Sequence, residues 1–301
     1  MEKLKLKASA DDLDLALLAL EPTAAPKGIV QLVHGMCEHK ERYIPFMEFL
    51  AANGYIVIIH DHRGHGESVK SKDDLGYMYS GGWKALIEDV KVVNDYAHNR
   101  WPGLPLTLFG HSMGSAVVRS YVKRYDDTID RLFVCGSPSD NPATNFAIFL
   151  TKTIGLFRGD HYRPQLMNKL SFGTFNKPFE ADGYPSAWVC SDKEILKAYH
   201  SDPLCMYIFT VNGYDNLLHL MKDCYSPKGW KMSKPSLPVH FISGAQDTCR
   251  ISDKSIANAA DLMRKVGYAN VDLKLYEGMR HEILNETRKQ EVWDNILSQL
   301  A

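Results

Sequence analysis

The segment LTLFGHSMGSAVV, Leu106–Val118, constrains the fold more than any other part of this 301-residue chain. A short apolar run stops at Gly110, a second starts at Gly114, and His111-Ser112-Met113 lies between them. The first run reads as a buried strand and the second as a helix. A strand that turns directly into a helix brings two backbones together, so a side chain flanking the serine would clash. The serine is left in a strained backbone region with its hydroxyl exposed at the edge of a sheet. The helix that follows puts its positive N-terminal end beneath that hydroxyl. This is the G-x-S-x-G nucleophile elbow, and here it has the strand and helix that the motif requires.

Other strand-like runs alternate with helix-like ones around this joint. KLKLKA and LDLALLAL read as an opening antiparallel pair. GIVQLVHG, YIVIIHDH, LPLTLFG, RLFVCGSP, LPVHFISG and VDLKLYEG follow as strands, and YIPFMEFLAANG, WKALIEDVKVVNDYAHNR, GSAVVRSYVKRY and KQEVWDNILSQL as helices. Continuous apolar strands separated by helices imply a mostly parallel central sheet covered on both faces, an α/β architecture. The alternation stops over 139–231, a stretch rich in Phe, Leu, Met and Tyr with no clear strand. The expected organisation is a core of 1–138 and 232–301, with 139–231 inserted as a helical cap over the sheet's carboxyl edge. Open α/β sheets bind their ligands at that edge.

A serine at its ordinary pKa is a weak nucleophile and needs a base. The elbow predicts that an acid and then a histidine follow it in the chain. Of twelve histidines, His281 is best placed, because it follows VDLKLYE through a Gly278-Met279-Arg280 turn. Asp247, just after the strand VHFISG, is the expected acid; Asp140, after RLFVCGSP, is its rival. The loop LVHGMCEHKERY, where Gly35 permits a turn, supplies the backbone N–H of Met36 as one oxyanion donor. The N–H of Met113 supplies the other. His34 reads as a structural histidine holding that loop.

HGMCEHKERY, DHRGHGES, GHSMGS, DPLC and GMRHEILNE together resemble the monoacylglycerol lipase and lysophospholipase branch of the serine α/β-hydrolases, and the resemblance spans the chain, cap included. It implies an α/β-hydrolase fold and cleavage of a carboxylic ester with one long acyl chain and a small polar leaving group, most simply a monoacylglycerol. It implies that Glu38, Arg42 and His111 grip the glycerol end, although Glu38 and Arg42 also read as an ion pair bracing their loop. The alternatives are a lysophospholipase, a short- or medium-chain carboxylesterase, and a ligand-binding receptor on a hydrolase scaffold. A haloalkane dehalogenase is disfavoured because its nucleophile is an aspartate.

No cofactor is expected. Asp61, His62 and His65 in DHRGHGES could suggest a metal, but the resemblance makes that segment a structural loop, and no metal is expected there. The six cysteines fit no zinc template and no disulfide scaffold and read as reduced thiols. Cys249, two residues past Asp247, raises the question of sensitivity to alkylation. A formal net charge of -1 argues against a nucleic-acid partner. The N-terminus reads as neither a signal peptide nor a membrane span. The expected setting is cytoplasmic, with NFAIFLTKTIGLF in the cap long enough for transient contact with a membrane surface and too short to cross one.

Overall fold

A computed structural model describes residues 1–300. Its strands are β1 (Glu2–Lys7), β2 (Asp14–Leu20), β3 (Gly28–Val33), β4 (Tyr55–His60), β5 (Leu106–His111), β6 (Arg131–Cys135), β7 (Val239–Gly244) and β8 (Val271–Tyr276). They form one sheet in the order β1-β2-β4-β3-β5-β6-β7-β8. β1 and β2 make the expected antiparallel pair, β2 runs antiparallel to β4, and every later pairing is parallel. The elbow strand β5 lies in the interior, between β3 and β6.

The helices are α1 (Ile44–Ala52), α2 (Gly82–Arg100), α3 (Met113–Tyr125), α4 (Thr144–Arg158), α5 (Gln165–Phe172), α6 (Lys193–Ser201), α7 (Val211–Tyr225), α8 (Asp253–Lys265) and α9 (Lys289–Leu300). Alternation along each strand sends side chains to two separate cores. Ile29 and Val33 of β3, Ile56 and Ile58 of β4 and Leu106 and Leu108 of β5 join the apolar faces of α2, α3 and α8. Val30, Leu32, Val57, Ile59 and Phe109 point the other way, onto α1 and α9. Burial on both faces is why these strands read as unbroken apolar runs. α8 has no counterpart among the sequence-read helices, although Ile256, Ala259, Ala260 and Met263 recur at helical spacing and are all buried.

Between β6 and β7 lie α4 to α7 and no strand. α7 is part of the main core: Tyr214, Leu220 and Cys224 pack in the same cluster as α2 and α3. α4 and α5 behave differently. Phe146, Phe149, Leu156 and Phe157 of α4 are 64, 66, 82 and 78% exposed, and Leu166 and Leu170 of α5 are 50 and 61% exposed. Among the described residues, no helix is long and apolar enough to cross a membrane.

Candidate active site

β5 enters the site through Gly110 and leaves through α3, and the two glycines are required by close approach. A Cβ on Gly110 would collide with the Gly114 carbonyl and Val118; one on Gly114 would collide with the Val33 and His34 carbonyls. Ser112 between them has φ 53° and ψ −118°, a conformation that non-glycine residues rarely adopt. Such strain costs on the order of 1–3 kcal/mol and persists only where packing over-determines it. The Ser112 N–H, donating to the Cys135 carbonyl at 2.9 Å, helps to fix it.

His281 reaches the serine from the loop after β8. Its Nε2 accepts the Ser112 hydroxyl at 2.8 Å, and its Nδ1–H donates to Asp247 Oδ2 at 2.9 Å. Asp247, just after β7, also accepts from Cys249 N–H at 2.8 Å and the Ser243 hydroxyl at 3.1 Å. Burial alone would raise its carboxyl pKa; the His281 imidazole and these donors outweigh that and hold it below the usual range. Asp140, by contrast, is exposed.

Facing the serine, a Cβ on Gly35 would lie 3.0 Å from Ser112 Cβ, so the turn before Met36 lies against the nucleophile. Among the described residues, the N–H groups of Met36 and Met113 have no protein acceptor. Glu38 holds this turn. Its Oε1 accepts from the Gly35 N–H, from Tyr43 Oη at 3.1 Å and from His111 Nδ1 at 3.2 Å, while Oε2 accepts from Arg42 at 3.0 Å. Burial opposes ionisation of Glu38, but His111, Arg42 and the Gly35 amide keep its carboxyl below the usual range. His111 Nε2 faces the His281 carbonyl at 3.3 Å. With acceptors on both nitrogens, His111 carries both ring protons, and Glu38 raises its pKa against the opposing effect of burial.

Sequence reasoning missed Glu282, which forms a two-pronged pair with Arg42, both contacts at 2.6 Å. Glu38, Arg42, His111 and Glu282 line a cavity of about 10 Å³, room for one water and too little for glycerol. Also missed was the fastening of the histidine loop to the segment before α6. Arg280 Nη1 donates to the Ala187 carbonyl at 2.7 Å, Nη2 pairs with Asp182 at 2.6 Å, and the guanidinium stacks 3.9 Å from the Phe179 ring centroid. The Glu282 N–H donates to the Val189 carbonyl at 2.8 Å, and the Trp188 ring lies 5.0 Å from the His281 ring. Arg280, His281 and Glu282 lie in GMRHEILNE, but their partners are about a hundred positions away, 93 for Ala187 and 98 for Asp182.

A family described as serine aminopeptidase S33 matches residues 24–288. The chain belongs to this family. The monoacylglycerol lipase of Mycolicibacterium smegmatis is 28% identical over 277 residues, covering 92% of this chain and 89% of that protein. The monoglyceride lipase of Mus musculus is 32% identical over 284 residues, covering 93 and 83%. A thermostable carboxyl esterase from Bacillus coagulans, solved in complex with glycerol, superposes with a TM-score of 0.89 at 24% identity, covering 99% of this chain and 97% of that one. That likeness bears on the fold, which is the α/β-hydrolase fold. The family member described here is thus a serine ester hydrolase of the monoacylglycerol-lipase-like kind.

Its remaining singled-out residues have structural surroundings. His34 Nε2 accepts the His62 N–H at 2.9 Å, and His62 Nε2 lies 3.0 Å from the His34 carbonyl, so the two loops brace each other. Asp61 is engaged by Lys40 Nζ at 2.7 Å and by the amides of Lys40 and Glu67, both at 2.8 Å. All six cysteines are buried and free. Burial and the Asp247 charge push the Cys249 thiol well above its usual value, which makes it a poor nucleophile.

Proposed function

We propose that this hydrolase cleaves monoacylglycerols through Ser112, His281 and Asp247. The observation that carries the reading is the unbroken pair of hydrogen bonds, 2.8 and 2.9 Å, from Ser112 through His281 to Asp247. His281 Nε2 takes the Ser112 proton as Oγ attacks the ester carbonyl. Asp247 holds the tautomer and stabilises the imidazolium that forms. The N–H groups of Met36 and Met113 receive the developing oxyanion. The tetrahedral species collapses, the alkoxide leaves with the proton from His281, and an acyl-Ser112 ester remains. Water gives its proton to His281 and attacks that ester. Its collapse returns the proton to Ser112 and releases the fatty acid.

Glu38, Arg42 and His111 form the polar end of the site, where their water-sized cavity admits one glycerol hydroxyl and the rest of the glycerol stays outside it. Their hydrogen-bonded network beside Ser112 supports this, and Glu282 orients Arg42 within it. Within the 139–231 insertion between the core segments 1–138 and 232–301, the part before α7 acts as the cap, with the acyl chain beneath it, while α7 packs into the core. The exposed apolar face of α4 gives the cytoplasmic enzyme transient contact with lipid interfaces, where monoacylglycerol accumulates.

The test is steady-state hydrolysis of p-nitrophenyl esters from acetyl to palmitoyl, run beside 1- and 2-monoacylglycerols and a lysophospholipid. Preference for medium or long monoacylglycerols supports the reading. Fast turnover of only the shortest esters overturns the substrate and leaves the triad. Stoichiometric labelling of Ser112 without turnover overturns the enzyme reading in favour of a receptor.

A further inference from the structure

The oxyanion loop meets the segment after α6 through a group of side chains that hydrolysis does not use. His39 Nδ1 contacts Glu41 Oε2 at 2.7 Å, and its Nε2 contacts Asp202 Oδ2 at 2.8 Å. Asp202 and Cys205 belong to one tight turn, in which the Cys205 N–H donates to the Asp202 carbonyl at 3.0 Å. Asp202 Oδ1 is occupied by the Leu204 N–H at 2.8 Å, which leaves Oδ2 for His39. A ring nitrogen of His39, a carboxylate oxygen of Asp202 and Sγ of Cys205 all lie within 4.8 Å of one another.

Imidazole, carboxylate and thiolate together form a donor set suited to zinc. A tetrahedral ion with bonds of about 2.0–2.3 Å spaces its donors about 3.4 Å apart, so a shift of about an ångström closes this trio around one. The neighbouring groups also fit. A metal-bound histidine almost always gives its other N–H to a carboxylate, and Glu41 fills that place. Glu41 is in turn held by Lys40 at 2.9 Å. The His39 and Cys205 side chains are buried, whereas that of Asp202 is 30% exposed, so a fourth position opens on the solvent side.

We propose that His39, Asp202 and Cys205 bind a zinc ion that fastens the loop carrying Met36 to the cap. One Zn²⁺ replaces two protons, that between His39 Nε2 and Asp202 and that of the Cys205 thiol. The exchange leaves the net charge of this partly buried site unchanged, which avoids the cost of an added buried charge. No sequence template reveals the site, because His39 and Asp202 are 163 positions apart.

Cobalt(II) is the probe, added to the full chain under anaerobic conditions. We expect one equivalent to give visible d–d bands and a near-ultraviolet thiolate-to-cobalt band, both removed by Zn²⁺. Cys205→Ser abolishes the thiolate band. Glu41→Gln keeps the fold, read by circular dichroism, and weakens binding by about 10–100-fold. Asp247, Cys249 and His281 form the other trio with donors within 4.8 Å, so Cys249→Ser is the control and leaves the band in place. No band in the wild-type protein, a band that survives Cys205→Ser, or a band lost in Cys249→Ser overturns the proposal. The readout is absorption, so failure here is distinct from failure of the proposed hydrolysis.

Discussion

At the carboxyl edge of the sheet, Ser112, Asp247 and His281 come from three separate loops, and each is held by backbone or side-chain hydrogen bonds. In the segment that lies between β6 and β7, α4 and α5 instead turn Phe146, Phe149, Leu156, Phe157, Leu166 and Leu170 to the outside. The difference shows how fixed geometry and an adaptable surface are combined in one chain. The edge has a strained serine, a buried carboxylate and the imidazole between them, all fixed by the sheet beneath them. The segment above it shows apolar surface that a fold does not leave uncovered without another use. Between the two stands Arg280, one residue from His281, gripping the segment just before α6.

The largest effect tests the edge alone. Ser112→Ala is expected to lower kcat for any ester by more than about 10⁴-fold while leaving the melting transition in place. Asp247→Asn, which favours the wrong His281 tautomer, is expected to cost about 10⁴-fold. Steady-state kinetics with a soluble ester reads both, and near-wild-type turnover in either variant breaks the assignment.

The edge also carries an acid weakness. Burial, with Arg63 adding to it, holds His60 down to about 3; burial holds His65 down to about 4 and, with neighbouring imidazoles, keeps His34 and His62 well below the usual value. In the unfolded chain these imidazoles titrate near about 6.5. Between about pH 6.5 and 4 the unfolded state therefore binds more protons, so stability rises with pH there and falls on acidification. Each neutral imidazole contributes up to about 1.4 kcal/mol per pH unit to that slope. Urea unfolding from pH 7.5 to 5 measures it. Neither ring nitrogen of His60 has a hydrogen-bond partner among the described residues, so His60→Leu is expected to flatten the slope without lowering stability at pH 7.5. An unchanged slope rules out a buried neutral His60.

Arg280 tests the link between the two regions. Arg280→Ala leaves the Ala187 carbonyl without its donor and Phe179 without its stacked cation, at an expected cost of about 1–3 kcal/mol of stability. Looser placement of His281 is expected to lower kcat by about 10–100-fold with a smaller change in KM. Arg280→Lys keeps the charge without the fork and should recover part of the loss. A fall in stability with kcat untouched would make Arg280 a structural residue only.

How much of this was legible in the sequence follows from the range of each interaction. The inner strands β3, β4, β5 and β7 stand out as apolar runs, because burial on both faces needs no partner information, whereas the edge strands β1 and β8 show only as alternating KLKLK and VDLKLY. The elbow is a local conflict between two backbones, so its glycines single out Ser112 as the candidate nucleophile. Asp247 and His281 follow from chain order and from their place after a strand. Arg42 and Glu282 are 240 positions apart, and Arg280 meets Ala187 across 93, so neither contact has a periodic signal. α8 went unread although Ile256, Ala259, Ala260 and Met263 recur at helical spacing, because the polar residues between them obscure that pattern. Composition placed 139–231 as a helical insertion, but α7's packing on α2 and α3 depends on the tertiary fold.

The smallest effect concerns the outer face of α4. Phe146, Phe149, Leu156 and Phe157 fall on one side of the helix, while Ile148 and Thr151 on the other side are buried. Phe149→Ser combined with Phe157→Ser removes apolar surface that touches no part of the edge. A soluble short ester should therefore be hydrolysed within about twofold of the wild-type rate, since exposed substitutions away from special features rarely matter. For monoacylglycerol presented in vesicles, the apparent KM should rise by about tenfold, because two phenyl rings worth about 1.5–3 kcal/mol each at full burial need enter the interface only partly to lose the ~1.4 kcal/mol that tenfold represents. Equal losses on both substrates would mean that α4 serves the site from within, and the contrast between a fixed edge and an outward-facing α4 would then fail at α4.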